Sequence, residues 1–285
     1  MKHVIVCADD FGLDVAVNEA VEEAHRHGIL SCASLMVAGP AAADAVARAR
    51  RVPALAVGLH LVLVDGRPAL PGSEIPELVR DGEFDRNMVR AGLRFFCLPR
   101  VRRQLALEVR AQFEAFRATG LRLDHVNAHK HMHVHPTVAR LIVEIGREHG
   151  MRAVRLPLEP VDTLPAAFPE DHYRGRLYHP WIGLLRRRLR RAGLCTNDHL
   201  FGLAWSGGMV EERLLRLVPH LPDGVTELYL HPASKRTPAL VTAMPSYRQL
   251  EEFEALLSPA PKSCIADCGI TITSYDDLAA VRGGR

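Results

Sequence analysis

Two carboxylates, Asp9 and Asp10, stand side by side where the apolar run Val4–Ala8 ends, in the stretch VIVCADDFGL. Farther along, HVNAHKHMHVHP carries histidines at 125, 129, 131, 133 and 135, GLHL carries His60, and LYLHPA carries His231. Neutral imidazole is a common ligand for divalent metals and carboxylate suits harder ions, so this mixture of residue types points to a bound cation. One Asp with two His leaves coordination positions open for water and substrate, as hydrolytic metal sites require. A helix N-cap accounts for one of the two adjacent carboxylates and leaves the other without a partner. A metal accounts for both: one Asp ligates the ion and its neighbour takes a proton from water. A single histidine at any of these positions reads as a packed or surface residue; it is the cluster that argues for a site.

Such side chains need elements that bring them together. Short apolar runs alternate with helical patterns, the signature of βα units and a mostly parallel sheet. The expected strands are Val4–Ala8, CASLMVAG, ALAVGLHL, LRLDHVNAH, RAVRLP, VTELYLHP and KSCIADC. Helices are expected over residues 17–28, 41–50, 105–120, 136–150 and 249–257. The result is an α/β fold of about seven mostly parallel strands, enough for a closed or nearly closed (β/α) barrel, against a doubly wound open sheet as the competing architecture. One domain spans 1–285, with insertions near 65–98 and 157–208. Active sites of β/α barrels lie at the carboxyl ends of the strands. Those ends here carry Asp9 and Asp10, His60, Asn127 and His129, Arg155, and His231. His129, His131, His133 and His135 share a face only if their strand continues, and Pro136 implies that the chain bends away first. Arg155 reads equally as structural or as orienting the base. Gly58 allows either close backbone approach or tight packing.

Bulk properties narrow the function classes. A net charge of +3 is too small to argue for nucleic acid. Basic residues nonetheless cluster in RVRRQ (100–104) and RRRLRR (186–191). These are either solvated helix faces or a means of meeting an anionic membrane surface. Six cysteines show neither a C-x-x-C pair nor a compact framework, so reduced core thiols are expected. No apolar stretch approaches the roughly 20 residues that span a bilayer, and the start lacks a signal-peptide profile. The reading is cytoplasmic, with room for peripheral attachment to the inner membrane and for a homodimer. Aromatics at 95, 96, 173, 178 and 181, in the insertions, can stack on a sugar ring or simply pack.

Taken together, ADDFG, GLHL, HVNAHKHMH and LYLHPA resemble the YdjC-like carbohydrate deacetylases, and they occur in family order from residue 4 to about 235. The runs SLMVAGPAAADAVARAR, VGLHLVLVDGRP and FEAFRATGLRLDHVNAHKHMHVHPTV resemble the hopanoid-biosynthesis-associated branch, HpnK, more closely still. The family resemblance implies a distorted (β/α) barrel, a divalent ion (magnesium, zinc or similar) and removal of an N-acetyl group from an amino sugar. It makes Asp9 the base, Asp10, His60 and His129 the metal ligands, and His231 the general acid. Asn127, His131, His133 and Arg155, which lie at or beside the same strand ends, are expected to bind or orient the substrate. Asn127 stands where chitooligosaccharide-type members often carry Asp, and Lys130 where a His is common there. The branch implies an N-acetylglucosamine-bearing glycolipid. The rival readings are a chitooligosaccharide or diacetylchitobiose deacetylase, a metal-dependent phosphoesterase or glycosidase, and a non-catalytic metal- or glycan-binding protein.

Overall fold

The structure is a computed structural model and describes residues 1–160, 162–170 and 179–278. The amino-terminal half contains β1 (Lys2–Phe11), α1 (Val15–His27), β2 (Cys32–Leu35), α2 (Ala42–Arg51), β3 (Ala56–Leu61), β4 (Val79–Arg80), β5 (Glu83–Phe84), α3 (Met88–Cys97) and α4 (Pro99–Ala118). Then come β6 (Leu123–Ala128), a 3-10 segment (His129–Val134), α5 (Pro136–Glu148), α6 (Thr163–Ala167), α7 (His179–Arg191) and β7 (His199–Phe201). The chain continues through α8 (Glu211–Leu217), β8 (Gly224–Leu230), α9 (Pro238–Ala243), α10 (Gln249–Leu257), α11 (Pro259–Asp267) and β9 (Thr271–Ile272).

The main sheet runs β6-β3-β2-β1-β8-β7, every neighbouring pair parallel, and β9 adds to the start of β1 beside His3 and Val4. Strand β1 is central, and from Val4 onward it is buried on both faces, which explains its unbroken apolar run rather than an alternating one. Helices start where the sequence offers caps. Asp14 accepts the Ala16 N–H at α1, and Ser258 accepts the Ala260 N–H at α11. Helix α4 presses Leu105, Val109, Phe113 and Phe116 onto the core. On its same inner side the Glu108 carboxylate accepts the Ala69 and Leu70 N–H groups, and Gln112 both donates to and accepts from the Val62 backbone. The chain leaving β3 is thereby tied to α4.

Two expected strands fare differently. KSCIADC lies in α11: Ser258-Pro259 is a helix start, and Pro261 and Ile265 bury one helical face. The sheet is completed at that end by the two residues of β9 instead. RAVRLP forms only isolated parallel bridges, Val126 to Val154 and Ala153 to Cys195. Pro157 and Pro160 lack the N–H that a continuing ladder needs. The segment still links both edges of the sheet, because Arg155 N–H donates to Val126 O and Leu200 N–H to Leu158 O. The curled sheet is therefore a distorted barrel with a thin seam between β6 and β7. The 65–98 insertion holds the β4–β5 hairpin and α3. The 157–208 stretch, expected to be irregular, contains α6, α7 and the sheet strand β7. Among the described residues no helix is long and apolar enough to cross a membrane, and all six cysteines are free thiols.

Gly58 on β3 is a packing glycine. A Cβ there would lie 2.5–2.7 Å from the His125 ring of β6. That ring cannot yield, since Nδ1 bonds Asp124 at 2.7 Å and Tyr275 stacks on its face at 4.5 Å. Gly58→Ala is expected to destabilise the protein by about 1–3 kcal/mol through overpacking, read as a lower urea midpoint at unchanged slope.

Candidate metal centre

Adjacent residues on a regular strand face opposite ways, so Asp9 and Asp10 cannot share a site without a local irregularity. The structure supplies one. The β1–β2 register shifts between Ala8 and Phe11, and Asp10 adopts a left-handed φ of 62°. Asp is among the few residues that take this conformation at modest cost. The turn that follows is held by Asn18, which accepts the Gly12 N–H and donates to Ala41 O and Asp44.

Asp10 Oδ1 lies 3.3 Å from both His60 Nε2 and His129 Nδ1. Asp10 and His60 are buried, and neither Asp10 oxygen nor His60 Nε2 has a hydrogen-bond partner among the described residues. Orphaned buried acceptors converging on one point are what a cation would satisfy. The tautomer agrees. Asn127 Nδ2 donates to Ser34 Oγ and to Asp9 Oδ1, so its Oδ1 must accept from His60 Nδ1 at 2.7 Å. That leaves the Nε2 lone pair aimed at Asp10. Burial pushes the His60 imidazole down, but Asp9 and Asp10 outweigh it and raise its pKa. The field that favours a proton on His60 equally favours a metal ion beside it. One carboxylate and two imidazoles suit zinc and tolerate harder ions.

Asp9 has a different environment. Arg155, wholly buried, reaches its Oδ2 at 2.6 Å and Oδ1 at 2.8 Å, and Ser34 and Asn127 also donate to Oδ1. Burial raises the Asp9 carboxyl, but the Arg155 and His60 charges dominate and hold it well below the usual carboxylate range. Oδ1 is saturated; Oδ2 accepts from Arg155 alone and keeps a lone pair free. Arg155 in turn donates to Glu227 Oε1, and Tyr275 donates to Glu227 Oε2.

His231 follows directly on β8. Its backbone N–H donates to Glu252 at 2.5 Å, and its ring packs between Tyr229 and Tyr247. Burial lowers its pKa despite the nearby Asp10 and Asp9. His131 takes a left-handed φ of 53° as the chain turns out of β6, and its ring meets Tyr229 edge-on at 5.2 Å. Burial, then Arg155, holds it down to about 3, so it is neutral. His133 lies buried against His131, with neither nitrogen hydrogen-bonded among the described residues. His135 caps α5 through the Thr137 N–H and touches Phe95 and Phe96. His125 points beneath the site, paired with Asp124.

Beside the centre opens a cavity of about 860 Å³, mostly apolar in its walls. Lys130 and His131 from the turn after β6, Leu93 and Phe96 of α3, and Trp181 and Ile182 of α7 line it. Phe95 is a core residue; Tyr173 and Tyr178 lie outside the described residues. Sequence reasoning missed Ser34, Glu227, Tyr275 and Glu252. The first two sit mid-strand within the runs read as hydrophobic, and a polar residue inside a buried strand was the available signal.

Fold and site together define an α/β barrel protein with a single-ion candidate centre at the carboxyl ends of its strands. The chain belongs to the YdjC-like protein family, whose defining pattern matches residues 3–267. It is 30% identical to a carbohydrate deacetylase of Geobacillus stearothermophilus, over 97% of this chain and 98% of that one. It is also 30% identical to a chitooligosaccharide deacetylase of Serratia marcescens, over 97% of this chain and 99% of that one. A solved Enterococcus faecalis protein, described as a candidate cellobiose-phosphate cleavage protein, superposes with a TM-score of 0.75. At 24% identity over 97% of this chain and 98% of that one, that likeness shows the fold.

Two predictions follow from the supports of the ligands. Asn127→Ala frees the His60 ring, and affinity for zinc by titration calorimetry is expected to fall about 10–100-fold. Burial pushes Glu252 up to about 7. A carboxyl raised on folding adds stability that is complete below its unfolded value and lost as pH rises through about 7. The melting temperature should therefore decline less between about pH 5 and 8 in Glu252→Gln than in the parent protein.

Proposed function

We propose that the protein is a metal-dependent carbohydrate N-deacetylase. Its substrate in this reading is an N-acetylglucosamine unit on a glycolipid, an N-acetylglucosaminyl hopanoid. The observation that carries the reaction is the pairing of Asp10, His60 and His129, with unsatisfied donor atoms, and a second ionised carboxylate beside them. A site that only binds a metal or a glycan has no use for Asp9 held in that state. The names of the Geobacillus and Serratia relatives support the same chemistry.

Asp10, His60 and His129 would hold one divalent ion, which supplies Lewis-acid polarisation of the amide carbonyl. Asp9 Oδ2 takes the proton of the attacking water, and Arg155, Ser34 and Asn127 fix the carboxylate for that transfer. His231, entering as the imidazolium, gives its proton to the amine nitrogen as the C–N bond breaks, a release favoured by the burial that lowers its pKa. Asp9 and His231 then return to their starting protonation by exchange with water. Acetate and the free amino sugar leave. His131, neutral and set against Tyr229, contacts the sugar, as does Lys130, which is fixed by its ion pair with Asp65.

The apolar cavity supports the glycolipid part of the reading. Its volume falls within the roughly 300–1,000 Å³ of small-molecule sites, and its walls offer an aglycone far more apolar surface than a hydrophilic oligosaccharide uses. The second reading, a chitooligosaccharide deacetylase, is favoured by the Serratia relative, with Phe96 and Trp181 stacking on sugar rings.

Purified protein incubated with N-acetylglucosaminyl hopanoid and with diacetylchitobiose, with and without chelator, separates the readings by mass spectrometry. Loss of one acetyl group from the glycolipid, abolished by chelator, is expected. Loss from chitobiose alone selects the second reading, and loss from neither removes both. Asp9→Asn should lower acetate release about 10²–10⁴-fold while the ion still binds.

A further inference from the structure

Helix α7 presents three lengthwise stripes. Ile182, Leu185 and Leu189 are buried. Gly183, Arg186, Arg187, Arg190 and Arg191, spaced i, i+3, i+4, i+7 and i+8, border a shallow basic depression. Trp181 and Leu184 form the third stripe and are 51% and 59% exposed. The helix contains no acidic residue. Among the described residues, Arg186, Arg187, Arg190 and Arg191 make no ion pair with a carboxylate, although exposed arginines elsewhere, such as Arg110 and Arg140, do. Along the same apolar cavity, α3 exposes Val89, Leu93 and Phe96.

A merely solvated helix face has no use for a tryptophan and a leucine beside unpaired arginines. An amphipathic helix with apolar and aromatic residues edged by arginine is what lies in the plane of a charged bilayer interface. We propose that α7 and the exposed residues of α3 dock on an anionic lipid bilayer. The arginine stripe meets the headgroup phosphates, while Trp181 and Leu184 enter the interface beside the cavity mouth. The proposal rests on the glycolipid reading for its purpose: a lipid-borne sugar reaches Asp10 and His60 from the membrane through the apolar cavity, without crossing water. Its physical basis is separate, being the charge and apolar pattern of this face.

The intact protein is sedimented with vesicles of phosphatidylcholine alone and of phosphatidylcholine mixed with phosphatidylglycerol. Binding to the mixed vesicles only, reversed by salt, is expected. A blue shift of tryptophan fluorescence on binding should vanish in Trp181→Phe. Each arginine near such a surface is worth about five-fold in partitioning, so Arg187→Gln with Arg191→Gln should weaken binding about 25-fold. Leu184→Asn should weaken it independently. Acetate release from N-acetylglucosaminyl hopanoid dispersed in detergent, where no bilayer is present, should be unchanged in these Arg and Leu variants. Absence of vesicle binding, equal binding to neutral vesicles, or full binding by the double arginine variant overturns the proposal. So does a dimer in light scattering that Leu184→Asn dissolves, because the face would then meet a second copy. Vesicle binding without acetate release from any substrate leaves the docking face standing and removes the deacetylase reading.

Discussion

One buried cation organises the interior of this barrel. Arg155 is 0% exposed, and it ties Asp9 on β1 to Glu227 on β8. Burying a guanidinium is costly unless each of its charges and donors is met, and here two carboxylates and the face of the Tyr229 ring meet them. The accounting of charge does not close with Arg155, however. Asp9, Asp10 and Glu227 are all buried carboxylates, and one guanidinium leaves two negative charges in the same interior. His125 and Asp124 beneath them form their own pair and offset nothing. A divalent ion at Asp10, His60 and His129 would restore neutrality. A cation there would meet that charge as well as the unpartnered Asp10 oxygens.

Asn127 connects the two halves of the centre. It accepts from His60 on one side and donates to Asp9 and Ser34 on the other. An aspartate at 127 could still accept from His60 but could donate to neither, and it would add another charge to an interior already two negative. With its present neighbours, the site is built for an amide at that position. His60 and Asp9 therefore share one hydrogen-bond network, and their positions are coupled.

Much of this was legible in the residues. The apolar run of β1, the helix stop at Gly28 and the Pro136 start of α5 appear as the sequence states them, because periodicity and caps are local signals. The gathering of Asp9, Asp10, His60, Asn127, Arg155 and His231 at strand ends was equally readable. KSCIADC misled because seven residues can satisfy a strand pattern while Ser258-Pro259, just upstream, commits the chain to a helix. The backbone at Asp10 was not legible at all. That left-handed turn depends on the register of β1 against β2, which no single stretch encodes. Glu227 and Tyr275 escaped for the same reason, since their meaning lies in a partner 72 or 48 residues away.

The seam between β6 and β7 gives the barrel two unequal arcs. Strands β1, β2, β3 and β8 form continuous ladders and carry Asp9, Asp10, Ser34, His60 and Glu227. The other arc is stitched by single bridges at Val154 and Cys195, and α7 emerges directly from it. Backbone with few cross-links opens at lower free energy than continuous sheet. The stiff arc therefore holds Asp9, Asp10 and His60 in register, while the compliant arc leaves the α7 wall of the cavity freer to adjust. Accuracy at the strand ends and give at the cavity wall are thus assigned to opposite sides of one barrel.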